Sequence, residues 1–470
     1  MRRNAGFLLA GRLASAITTL IVLAVVSRLR GPEALGEVGL GLAIGTIAAA
    51  ISDVGTSSLL IREASRDPGT ARAQLRAGFL ARLVLVLPLL LATYVIAVLS
   101  GAAEPQVVVL VAAGLVLQLT AELTRSVFNA QQRMGVSGGH AIVENLAWFV
   151  VVCGALVAGA DLTTTFVLGI LVWLGSVAGG LFLVQRLAAL PAATAPARSL
   201  AETVRVALPF GAFSLIGILY GRIDTVLLGL LLPTSGLTAA GAYYAAARLI
   251  SAFEYLPDAL SRAVYPQLSR LAVQEPARVR VVLGDTATSL LALACLGPVV
   301  LATGSDSLMT LLFGPGLAAS GLVLAVLSFV LPFRFLGYLF GMTLTSSDAQ
   351  GRRVAAAALA LVAVLAIDLV GIPRLGIAAA VAGALTASFM VFATYAWSVA
   401  RRFGSTGLGL ATTVEIVGGM VIALAIGLTL GTVVGQLAAA AIAGAVYLIA
   451  LGAGPLRPVV RRFARMPGTP

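Results

Sequence analysis

The sequence contains no lysine: all 31 of its basic residues are arginine. A Walker A loop needs its lysine, so the chain carries no P-loop of its own and no nucleotide site is expected. It has one histidine, His140, and two cysteines, Cys153 and Cys295, both inside apolar stretches. That leaves too few imidazole and thiolate ligands for a metal centre and no raw material for Cys/His nucleophilic chemistry. The two cysteines read as small core residues. Charge is scarce too, at 11% of residues where a soluble protein carries roughly 25%.

What fills the chain is apolar. Hydrophobic residues make up 60% of its 470 positions, and the mean hydropathy is +1.04. Runs of about 20 apolar residues recur from end to end, each long enough to cross a ~30 Å hydrocarbon core. The opening "MRRNAGFLLAGRLASAITTL" has the basic-then-apolar order of a signal peptide. Arg12 interrupts it, however, and the hydrophobicity runs on to Val26, so a retained first span is expected. Fourteen spans are predicted, at 6–27, 35–61, 77–99, 105–128, 139–160, 163–185, 205–232, 238–262, 281–303, 317–343, 354–372, 376–399, 411–431 and 434–453.

Arginine sets the orientation. With the N-terminus inside, the cytoplasmic segments hold 21 arginines and the outer loops three, Arg28, Arg30 and Arg374. Both termini are therefore expected in the cytoplasm. The net charge of +12 follows from this topology and is no sign of nucleic-acid binding.

The expected fold is all-α: about 14 transmembrane helices, arranged as two six-helix lobes in pseudo-symmetric repeat plus two C-terminal helices. The boundaries are an N-lobe over 1–185, a cytoplasmic linker over 186–204, a C-lobe over 205–400, and two extra spans with a basic tail over 401–470. The linker, "QRLAALPAATAPARSLAETVR", is rich in Ala and Pro and basic at both ends. The halves echo one another. At one constant offset Gly31, Gly36 and Asp53 fall on Gly236, Gly241 and Asp258, as in a transporter built of repeats.

Seven arginines stay within the spans: Arg12, Arg82, Arg125, Arg222, Arg248, Arg262 and Arg334. Each costs about 2.5–3.5 kcal/mol at the bilayer centre, so each needs a reason to be there. Arg82 and Arg262 are expected to snorkel to the interface. Acids join them: Asp53, Glu122, Glu144, Asp224, Glu254, Asp258, Asp368 and Glu415. In span eight Tyr244, Arg248, Ser251, Tyr255, Asp258 and Arg262 step by fours and threes, which on one helix confines them to roughly 40°. Similar stripes are Gln118, Glu122, Arg125 and Asn129 in span four, Arg334, Tyr338 and Thr345 in span ten, and Arg12, Ser15 and Thr19 in span one. Such stripes turn away from lipid and are expected to line a wet cavity; gluing helices together is the other use of them.

The run "LIGILYGRIDTVLLGLLLP" sets Arg222 and Asp224 two residues apart, about 200° around a helix, so they cannot pair along one face. Arg222 is assigned to the cavity or its wall and Asp224 to a neighbouring helix of the same lobe; the reverse assignment also satisfies the spacing. A cavity rich in guanidinium favours an anionic guest, because its paired donors match phosphate and carboxylate at any pH. A diphosphate head group fits, with Tyr244, Tyr255 and Tyr338 offering ring faces and hydroxyls to sugars.

The stretches "SRLRGPEALGEVGLGLAIGTI", "DVGTSSLLIREASR" and "GRIDTVLLGLLLPTSGLTAAGAYYAAARLI" resemble the bacterial polysaccharide flippases. These are the oligosaccharidyl-lipid branch of the multidrug/oligosaccharidyl-lipid/polysaccharide exporter (MOP) superfamily. The resemblance is densest over residues 5–80 and 205–275. It implies a transporter and not an enzyme, one that moves an undecaprenyl-diphosphate-linked oligosaccharide to the outer leaflet by alternating access. The setting is O-antigen, capsule or exopolysaccharide synthesis, with polysaccharide polymerase and glycosyltransferases as partners and an H⁺ or Na⁺ gradient as the drive. Carried over by position, Arg12, Arg222 and Arg248 would contact the diphosphate or acidic sugars. Arg125, Arg334, Tyr244 and Tyr255 complete the candidate binding set. Asp53, Glu122, Asp224 and Asp258 are the ion-coupling candidates; for Asp224 a structural ion-pair role is equally open.

The alternative within the superfamily is a lipid II flippase. A multidrug antiporter fits less well, because cationic drugs favour an acid-rich cavity. A membrane polymerase or glycosyltransferase would need catalytic acids in a sizeable outer loop, whereas "GADLTTT" and "TGSDSLM" offer one each.

Overall fold

A computed structural model describes residues 2–188, 190, 199–232, 235–346 and 349–453. Residues 189 and 191–198 of the 186–204 linker, the tail beyond residue 453, and the side chains of Arg12 and Arg262 lie outside that description. Every regular element among the described residues is helical.

The first helix, α1 (Arg2–Asp53), runs without a loop through the ranges predicted for spans one and two. Gly31 kinks it at φ 89 and ψ 177, a conformation open only to glycine, and Pro32 opens the second segment where its missing N–H costs nothing. Arg28 and Arg30 therefore lie in the last turn before this kink. Arg30 donates from Nη2 to the Gly159 carbonyl at 3.0 Å. The expected second span should reach residue 61, but the helix stops at Asp53. Val54 (φ 51) and Gly55 (φ 87) turn the chain there, and α2 (Thr56–Arg66) begins. The cause is a close approach: a Cβ on Gly55 would stand 2.4 Å from the backbone nitrogen of Gly211.

Helices α3 (Ala71–Leu99), α4 (Pro105–Ala130), α5 (Met134–Val157), α6 (Leu162–Leu187) and α7 (Leu200–Leu231) follow. Asp161 caps α6 by accepting the Thr164 N–H at 3.2 Å. Hydrogen bonds from the Thr164 side chain and then its backbone hold this carboxyl below the usual carboxylate range. At the head of α7 Ser199 and Glu202 form a reciprocal capping box.

The range predicted for span eight is two helices, α8 (Gly236–Phe253) and α9 (Tyr255–Gln274), divided at Glu254. Pro257 explains the division: it sits in the first turn of α9, and with no N–H it cannot bond the Phe253 carbonyl that a continuous helix requires. The chain then forms α10 (Pro276–Thr303), α11 (Ser305–Phe313), α12 (Gly321–Leu327), α13 (Val330–Thr345), α14 (Gln350–Leu375), α15 (Ile377–Phe403), α16 (Leu410–Val434) and α17 (Gln436–Ala453). Ten helices among the described residues are long and apolar enough to cross a membrane. The count becomes eleven if the pair 315–327 and 330–345, bent by 45°, is one span. That tally takes α1 as one span although two helices join at Gly31, leaves α17 among the shorter apolar helices, and omits the divided span eight, so it does not confirm the count of 14. The chain is a multi-pass membrane protein.

The chain folds as two compact units. The first comprises residues 1–245 with 372–376; in it α1 packs on α4 and α5, and α4 on α6. One of its apolar clusters joins Leu60, Leu75, Leu123, Phe128 and Val184. The second comprises 246–371 and 377–470; in it α10 packs on α13, α16 and α17, and α13 on α9 and α15.

Candidate functional site

A guanidinium inside an apolar helix needs donors satisfied and charge balanced, so partners sort the intramembrane arginines. Arg82, on α3, is 3% exposed and does not reach an interface. It pairs with Asp53 and donates to Thr56 Oγ1 at 2.9 Å, Ser57 Oγ at 3.0 Å and the Gly78 carbonyl at 2.9 Å. The expectation that it snorkels is thus corrected: the turn after α1 brings a carboxylate and two hydroxyls to it. Asp53 Oδ1 also accepts from the Ser57 N–H at 3.1 Å, which ties the head of α2 to the same group.

Arg125, on α4, is buried and pairs through Nη1 with Glu144 on α5. Glu144 is 3% exposed and accepts also from Ser176 Oγ on α6. Arg334, on α13, pairs through Nη1 with Glu254 and donates from Nε to Ser388 Oγ at 3.2 Å. Tyr338, one turn along α13, donates to Glu254 Oε2 at 3.3 Å. Three of the span arginines therefore carry a carboxylate of their own.

Arg222 and Arg248 differ. Both are half-buried, and among the described residues neither forms an ion pair. Arg222 stands over the Tyr244 ring, 5.5 Å from its centroid. An aromatic face holds a cation without discharging it, which keeps the donors available to an anion. Tyr244 is 3% exposed, so the ring is a fixed platform. Asp224, two residues on, is 2% exposed and accepts through Oδ2 from the Tyr243 hydroxyl on α8. Arg222 and Asp224 thus address adjacent tyrosines of one helix from different faces of α7.

The remaining candidates are dispersed. Tyr255 and Asp258 are half-buried on α9, so the break at Glu254 takes them off the helix that carries Tyr244 and Arg248. The single stripe predicted for 238–262 does not exist as one helical face. On α4 Glu122 is exposed, Arg125 is buried, and Gln118 lines a pocket of ≈ 40 Å³ in the first unit with Thr19, Asn145, Trp148 and Trp173. That volume holds a few waters and no sugar.

Sequence reasoning placed Glu144 and Glu254 inside spans but missed that they neutralise Arg125 and Arg334. Ser176 and Ser388 carried no signal. His140 did, because it precedes Glu144 by four residues and shares its helix face.

A family model described as polysaccharide biosynthesis protein matches residues 1–272. No curated protein matches the chain. Among solved structures, the lipid II flippase MurJ in an inward closed conformation is similar with a TM-score of 0.72 at 13% identity, covering 97% of this chain and 100% of that one. An inward-facing multidrug resistance MATE family transporter of the MOP superfamily gives 0.62 at 15% identity, covering 83% and 94%. A MOP superfamily transporter from Pyrococcus furiosus, described as having a binding pocket of reverse polarity, gives 0.55 at 12% identity, covering 86% and 95%. These likenesses establish a shared fold.

Proposed function

This chain belongs to the polysaccharide biosynthesis protein family, and we propose that it flips an undecaprenyl-diphosphate-linked oligosaccharide from the cytoplasmic to the outer leaflet by alternating access. The observation that carries the reading is the state of Arg222. It lies in an apolar helix, without a carboxylate among the described residues, and against a fixed aromatic ring. A cation kept in membrane without an internal counterion is an anion receptor in waiting. The diphosphate of a lipid carrier supplies that counterion, and the guanidinium fork binds its oxygens in pairs. Arg248, in the second unit, likewise forms no ion pair among the described residues.

The second reading is a lipid II flippase, favoured by the likeness to MurJ over nearly the whole of both chains. Both lipids share the diphosphate and differ in the glycan, so Arg222 does not separate them. Purified protein in proteoliposomes does. Fluorescent undecaprenyl-diphosphate oligosaccharide is expected to become accessible in the far leaflet only when the protein is present, and lipid II much more slowly. Faster movement of lipid II would replace the first reading with the second. Movement of neither would remove flipping altogether.

A further inference from the structure

The first unit holds a row of charges that binding of a lipid-linked anion does not use. Asp53 on α1 meets Arg82 on α3, and Arg125 on α4 meets Glu144 on α5. Glu122, exposed on α4, acts electrostatically on both Arg82 and Glu144. Among the described residues the row is three carboxylates and two guanidiniums, one negative charge in excess. An excess charge inside a membrane bundle calls for a cation, and the smallest is a proton.

One end of the row is built to receive it. Glu144 Oε1 accepts from Arg125 and Oε2 from Ser176 Oγ. Ser176 Oγ in turn lies 3.4 Å from His140 Nε2. His140 is half-buried against Gly180 of α6, where a Cβ would meet its Cε1 at 3.2 Å. The groups facing this end are few. From α4 the charges acting on Glu144 are Arg125 and Glu122, and on His140 Arg125 alone. From α6 come Ser176 and Trp173, and from α1 the uncharged Thr19 and Leu42 of the adjoining pocket.

We propose that Glu144, served by His140 and Ser176, is a proton-binding site, and that its protonation hands Arg125 from Glu144 on α5 to Glu122 on its own helix. The transfer balances. A proton on His140 Nε2 passes to Ser176 Oγ as the hydroxyl's own proton moves to Glu144 Oε2. One N–H and one O–H bond break, two O–H bonds form, and the imidazole returns to neutral. Neutral Glu144 no longer holds Arg125, whereas Glu122, three residues before it on α4, lies on the same helix face and offers a second carboxylate. A proton therefore opens the latch between α4 and α5. This goes beyond the transport reading and does not depend on which lipid is carried.

The chain supplies its own probe. Of its three tryptophans, Trp148 follows Glu144 by one turn and Trp173 precedes Ser176 by three residues. The experiment is a pH titration of tryptophan fluorescence on the full chain in lipid nanodiscs, with Trp397→Phe removing the distant signal. One single-proton transition is expected, absent in Glu144→Gln. Ser176→Ala, which keeps the ion pair and so guards against a Glu144 variant that does not fold, shifts the midpoint by about half a pH unit or more. A flat wild-type titration, or a transition unchanged in both variants, overturns the proposal. Because the readout involves no glycan, failure of flipping and failure of proton binding are separate results.

Discussion

Gly36 and Gly241 meet backbone to backbone. A Cβ on Gly241 would lie 2.8 Å from the Gly36 nitrogen, and one on Gly36 would lie 2.1 Å from the Leu237 carbonyl oxygen. These are the two glycines that fall on each other when the halves of the sequence are superposed. α1 and α8 thus meet where these two glycines let the backbones come together. Small residues of this kind let helix backbones approach closely in lipid, where packing replaces the hydrophobic effect.

Gly36→Val is accordingly expected to abolish the folded protein, because the obstacle is backbone and not a movable side chain. Gly154→Ala, on α5 with nothing near its added Cβ, is expected to leave it intact. Membrane abundance and thermal unfolding of the two variants check this.

Removing Arg82 strands the half-buried carboxylate of Asp53. Arg82→Met is expected to cost about 3–5 kcal/mol, as for other buried pairs broken on one side. Asp53→Asn combined with Arg82→Met should recover a good part of it, since no charge is left unpaired. The unfolding midpoints of the single and double variants decide whether the two residues act as a pair.

Tyr243→Phe deletes a hydroxyl that donates to the buried Asp224. A hydrogen bond to a charged group contributes about 1.5–3 kcal/mol, so a lower unfolding temperature is expected. Transport per folded molecule should be unchanged. If Asp224→Asn instead lost transport while keeping stability, the carboxylate would have a coupling role.

These contrasts show what was legible in the sequence. Helix type and membrane class follow from long apolar runs. The breaks were not legible. The kink at Gly31 depends on a φ of 89, and hydropathy is blind to a turn at Val54–Gly55 that exists because Gly211 presses on it. Pro257 did signal the division of span eight, but a stripe drawn on an ideal helix overrode it. For the charges, spacing reports which residues share a face and not what stands opposite. Asp53 and Arg82, Arg125 and Glu144, and Glu254 and Arg334 each lie on different elements, so their pairings appear only in three dimensions. That is why Arg125 and Arg334 looked equivalent to Arg222 in the sequence and differ from it in the fold.

The transport reading rests on an anion received by guanidinium groups that, among the described residues, have no carboxylate of their own. Its most direct measurement compares Arg222→Ala, Arg248→Ala and wild type for movement of the diphosphate-linked glycan in proteoliposomes, at matched amounts of folded protein. Losing a charge-assisted contact of about 1.5–3 kcal/mol predicts a fall of roughly ten- to a hundredfold for each variant, with Arg222→Lys retaining part of the rate. Wild-type rates in both alanine variants would contradict the account.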